Sequence, residues 1–85
     1  MGAADAIPHF RRALELRPDD AQVHNDFGVA LVASEQLDQA IEEFQHALRL
    51  DPQLPDAPIN LDFAQNLRRD GAAGSAPAAA AAPAP

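Results

Sequence analysis

The sequence predicts an all-α fold: four short helices joined as hairpins and repeated along the chain. Three observations predict it. Apolar residues recur at three- and four-residue steps through residues 5–70, the spacing that gathers them on one helical face. Asp and Pro fall at the ends of those segments, where helices start and stop. The chain also matches itself. Shifted by 34 residues, Ala6, Ile7, Phe10, Ala13, Leu14, Leu16 and Pro18 fall on Ala40, Ile41, Phe44, Ala47, Leu48, Leu50 and Pro52, seven of thirteen positions. A shift of 36 lays Asp20, Ala21, Asp26, Phe27 and Leu31 on Asp56, Ala57, Asp62, Phe63 and Leu67, with Gly28 on Ala64; the two extra residues fall within 52–55. A period of this length marks stacked helical repeats. The chain reads as a half unit, a full unit and a second half unit.

Each helix is legible in turn. The first is expected to start near Asp5 and to present Ile7, Phe10, Ala13 and Leu14 on one face. Pro8 lies in its first turn, where an N–H has no intrahelical partner anyway, and Pro18 ends it. The second spans 21–34 with Val23, Phe27, Ala30 and Leu31 as its face and Asp20 as its N-cap. The third spans 37–50 with Leu37, Ala40, Ile41, Phe44, Ala47 and Leu48. Pro52 stops it and biases Asp51 away from helical angles. The fourth is expected from Ala57 to Asp70, capped by Asp56, with Pro58 in its first turn and Gly71 closing it. Its single apolar stripe, Ile59, Phe63, Ala64 and Leu67, beside polar Asp62, Gln65, Asn66, Arg68 and Arg69, fits a terminal cap. Helices this short are marginal alone, so they must pack on one another. The first lacks the helix that would precede it in a complete unit, which predicts thinner cover over Phe10 and Leu14.

Composition sets the limits. The 85 residues allow one small domain. Half of the 40 hydrophobic residues are Ala, and Val, Ile, Leu and Phe together number 19, all within residues 1–70. That stretch is the expected helical domain. Residues 71–85, nine Ala, three Pro, two Gly and one Ser, hold no large apolar group to offset chain entropy and are expected to form a disordered tail or linker. Cys is absent, so no disulfide or thiolate metal site forms. Six Arg against thirteen acidic residues give a formal charge of -7. That argues against nucleic acid and against an anionic membrane surface. No apolar run approaches the roughly 18 residues of a membrane span and no leader is visible, so a cytoplasmic setting is the default expectation.

With the full unit set to begin at Ala21, the residues resemble the tetratricopeptide repeat (TPR) family. The resemblance covers 5–70 and rests on Gly28, Ala40, Phe44, Ala47 and Pro52 at its signature places, with Ala6, Phe10, Ala13, Pro18, Phe63, Ala64 and Leu67 in the flanking halves. It implies a short right-handed α-solenoid of helix-turn-helix hairpins. It also implies the role of each small residue. Gly28 and Ala40 let paired helices approach, Ala47 makes room for the next unit, and Phe44 fills the space between. Departures from the pattern are His24 and Asn60 at a place often aromatic, Leu31 where Tyr is common, and a turn over 34–37 without Gly. About three units usually make a stable stack, and this chain has roughly two.

The functional expectation follows from the same resemblance. In this family the concave face is lined mainly by the first helix of each unit, which implies Gln22, Asn25, Val29, Val32 and Ala33 as a groove for a protein or peptide partner. The groove mixes amides with small aliphatics, a surface suited to an extended peptide or a partner helix. Some members grip a peptide carboxylate with Lys, Arg and Asn. Lys is absent here and only Asn25, Arg68 and Arg69 could contribute, which argues against that ligand. Other chemistry finds little footing. Glu42 and His46 share a helical face beside Glu43, but no second cluster completes a metal site, and a solvated acidic face is the simpler reading. His24 reads as a structural histidine and His9 as exposed. With Ser34 and Ser75 the only Ser and no Thr, Cys, Lys or Tyr, no nucleophile with base and orienter is visible. The expected function is a non-catalytic interaction or scaffolding module without a cofactor. The alternatives are a homodimer through the uncovered first helix, or the regulatory fragment of a larger enzyme.

Overall fold

A computed structural model describes residues 3–72, all of the regular structure among them helical. A 3₁₀ turn, Ala3–Ala6, leads into α1 (Ile7–Leu16); α2 (Ala21–Ala33), α3 (Leu37–Leu50) and α4 (Ala57–Ala72) follow. The expectations for residues 73–85 lie outside the described residues.

Local chemistry sets most of these bounds. Pro8 sits in the first turn of α1, and α1 stops before Pro18, with the Arg17 N–H donating to the Ala13 carbonyl. Asp20 caps α2: its Oδ1 accepts from the Val23 N–H at 3.1 Å. At the other end of α2, the Gln36 N–H donates to the Leu31 carbonyl and the Glu35 N–H to the Val32 carbonyl, the paired bonds of a Schellman motif. That motif needs a left-handed residue, and Glu35 fills the place at φ 64°. The turn expected to lack Gly thus makes the same bend with a residue that bends at a cost. After α3, Asp51 Oδ1 accepts from the Gln53 N–H at 3.0 Å.

The core joins all four helices. Ile7, Phe27, Ala30, Leu31, Ala40, Ile41, Phe44 and Ala64 form one buried cluster, with Phe10, Leu14, Val32 and Leu61 packed against it. Phe10 stacks on Phe27 at 6.1 Å between centroids. Gly28 is the closest approach of α2 to α3: a Cβ built there would lie 2.4 Å from Phe44 Cε1. Ala40 and Ala47 are fully buried, so both small positions of α3 lie at helix contacts. Phe10 and Leu14 are only partly covered, as the absence of a preceding helix predicts.

The fourth helix departs from expectation in two ways. It runs through Gly71 to Ala72, so Gly71 does not close it. It also turns the other face inward. Ile59, Phe63 and Leu67 are 68%, 57% and 40% exposed, while Ala57 and Ala64 are fully buried. Of the expected stripe, only Ala64 faces the core. Burial follows the strict period of 34: Leu61 and Ala64 stand where Phe27 and Ala30 stand, and Phe63 stands where the half-exposed Val29 stands. The connection before α4 is two residues longer than the one before α2. Two residues are about 200° of helical rotation, enough to exchange one face for the opposite one.

Candidate peptide-binding groove

Two parallel consequences of this packing place the site. Helices α2 and α4 both lie against α3, and they meet each other thinly. Between them a cavity of about 220 Å³ opens, lined by Val29, Val32 and Ala33 of α2, Phe44 of α3, and Asn60 and Phe63 of α4. The lining is almost wholly apolar, with one amide. The ring of Phe44 thus does two jobs, filling the α2–α3 contact at Gly28 and flooring the cavity.

The five expected groove residues separate. Val29, Val32 and Ala33 line the cavity. Asn25 does not belong to a contact surface: it is 3% exposed, and its Oδ1 accepts from Asn60 Nδ2 at 3.1 Å. This bond ties α2 to α4 at one end of the cavity. Gln22 is exposed on the outer side of α2, where its Nε2 donates to Asp26 Oδ1 at 2.9 Å. The residues that sequence reasoning missed are Phe44, Asn60 and Phe63. The signal for Phe63 was present: 34 residues beyond Val29 is Phe63, and 34 beyond Ala33 is Leu67. Leu67 lines a second cavity with Val32, Glu35, Leu37 and Gly71, so the apolar surface continues along α4 toward the α2–α3 turn.

His24 is buried and structural. Its Nδ1 lies 2.7 Å from Glu43 Oε1 and its Nε2 lies 2.7 Å from the Pro18 carbonyl oxygen. Both partners are acceptors, so the ring donates, and a ring carrying both protons serves both. The same ring lies 4.1 Å from that of His46. One side chain thereby links α2, α3 and the loop after α1. Glu42 is exposed, and His46 is engaged with His24 and not with Glu42. Among the described residues, no group of three or more His, Asp or Glu is gathered to hold a metal ion. No described helix is long and apolar enough to cross a membrane.

Comparison with known proteins agrees with this geometry. Over 55 residues, covering 65% of this chain, the sequence is 38% identical to a peroxisomal targeting signal receptor of Candida albicans; the match spans 9% of that protein's length. A family model described as tetratricopeptide repeat matches residues 3–59. That span takes in α1 to α3 and stops two residues into the exposed part of α4, where the roll of the last helix begins to matter. Helical hairpins at a 34-residue period, small residues at the closest contacts and a family match over more than half its length place the chain in the tetratricopeptide repeat family.

Proposed function

We propose that the chain is a non-catalytic interaction module that captures a peptide or partner helix between α2 and α4. The observation that carries this reading is the apolar cavity with Val29 on one wall and Phe63 on the other, both exposed by about half. Large apolar side chains left open to water beside a cavity are the usual sign of a contact surface. The relative is by its name a receptor for a targeting signal, which supports the same class of partner, a segment of another protein. The polar groups around the cavity are amides and carboxylates with no nucleophile among them, so binding rather than catalysis fits the site.

The reading is tested with short peptides carrying a Leu or Phe centre, by calorimetric titration. Val29→Glu places a charge on the cavity wall without touching the core, so helicity should stay while binding is lost. Binding that survives Val29→Glu would move the site elsewhere.

A second reading has its own observation. Leu16 is 67% exposed at the end of α1, and α1 has no helix before it. Self-association through α1 would cover it. Sedimentation at rising concentration tests this: a monomer throughout the micromolar range removes it.

A further inference from the structure

We infer that the segment held between α2 and α4 carries Lys or Arg beside its apolar anchor; the inference rests on the groove reading above and names the chemistry of its ligand. The mouth of the groove is acidic on both walls. On α2, Asp26 lies one helical turn from Val29 and next to Ala33 on the same surface. On α4, Asp62 lies one turn from Ile59 and one turn from Asn66, on the side of the apolar stripe that faces away from α3. Each carboxylate is fixed by a neighbour on its own helix: Asp26 accepts from Gln22 at 2.9 Å and Asp62 from Asn66 at 3.3 Å. Neither is neutralised by an arginine. Glu35 adds a third acidic group at the far end, beside Val32 and Leu67.

The chain's own cations are placed elsewhere. Arg11 lies over the Phe27 ring at 5.3 Å. Arg12 pairs with Glu15 at 3.1 Å and Arg17 with Asp20 at 4.0 Å. Arg68 is drawn to Asp38 of α3 at 2.7 Å, and Arg49 is in the last turn of α3. The cation nearest the groove is Arg69, which hydrogen-bonds Asn66 toward the end of α4. The mouth between Asp26 and Asp62 is therefore left negative, in a chain whose formal charge is already -7. An apolar floor with two carboxylates at its lip attracts a cationic segment over a distance of about 10 Å at ordinary salt, and repels an acidic one.

The experiment uses the full chain and three labelled peptides with one Leu-Phe centre, flanked by Lys, by Gln or by Glu, followed by fluorescence polarisation at low and high salt. The Lys-flanked peptide should bind about three- to tenfold more tightly than the Gln-flanked one at low salt, since exposed charge pairs each contribute modestly. The advantage should shrink at high salt. The Asp26→Asn, Asp62→Asn double variant should lose the preference and keep its affinity for the Gln-flanked peptide, because Asn still accepts from Gln22 and from Asn66. Equal binding of all three peptides, or a preference that survives the double variant, overturns the inference and leaves the groove reading standing. No binding of any peptide removes both.

Discussion

Gly28→Ala is the sharpest probe of how α2 and α3 fit together. The new Cβ would lie 2.4, 2.7 and 2.8 Å from Cε1, Cδ1 and Cζ of Phe44. Carbon atoms in contact prefer about 3.5–4.0 Å, so the ring must retreat by about 1 Å. Phe44 is 1% exposed and is hemmed in by Ile41, Leu31 and Ala40 in the same cluster, so little free space awaits it apart from the cavity toward Phe63. Overpacking of this kind costs about 1–3 kcal/mol. Against it stands the better helix propensity of Ala, about 1 kcal/mol. The clash wins, by about 1–2 kcal/mol. A core of this size supplies only about 3–5 kcal/mol, so the loss is a large share. Urea unfolding followed by circular dichroism at the helical band should show a clearly lower midpoint for the variant. The double variant Gly28→Ala, Phe44→Leu should cost less than the two single changes together, because the shorter side chain relieves the clash. An unchanged or raised midpoint for Gly28→Ala alone would refute the packing argument.

Two further stability changes are expected. Glu35→Gly relieves a left-handed residue at φ 64°; it should stabilise the fold by about 0.5–1 kcal/mol after the greater freedom of Gly in the unfolded chain is counted, read as a higher urea midpoint. His24→Ala leaves Glu43 and the Pro18 carbonyl without the ring that joins them and should cost about 1–3 kcal/mol, read the same way; His24→Gln, which restores one donor, should recover part of the loss.

The sequence carried the fold through α3 almost residue by residue. Proline and aspartate mark ends physically, through a missing N–H and a capping oxygen, and these signals act within a few residues. The 34-residue period then fixed which helices pair. The roll of α4 was harder to read. A match at 36 residues aligned Asp56, Ala57, Asp62, Phe63 and Leu67 with convincing counterparts, but residue identity does not say which face a helix turns inward. That is decided by fit. Ala57 and Ala64 are small enough to lie flush on α3, and Asn60 finds Asn25 in the same rotation, whereas the opposite roll would bring bulky Ile59 and Phe63 against α3. The longer connection before α4 allowed the choice. The same point explains the site. Val29, Val32 and Ala33 were legible from position alone, because α2 keeps the family's register. Asn25 was misplaced because its partner sits on the helix whose roll was not legible, and Phe63 was assigned to the core for the same reason.

The most direct test of the central claim, that α2 and α4 together form the binding surface, is a two-dimensional ¹H–¹⁵N titration of the full chain with the Lys-flanked peptide. The amides of Val29, Val32, Ala33, Asn60 and Phe63 should shift together and saturate at one affinity, while those of α1 stay in place. Shifts gathered on α1, or spread evenly over the chain, would contradict it.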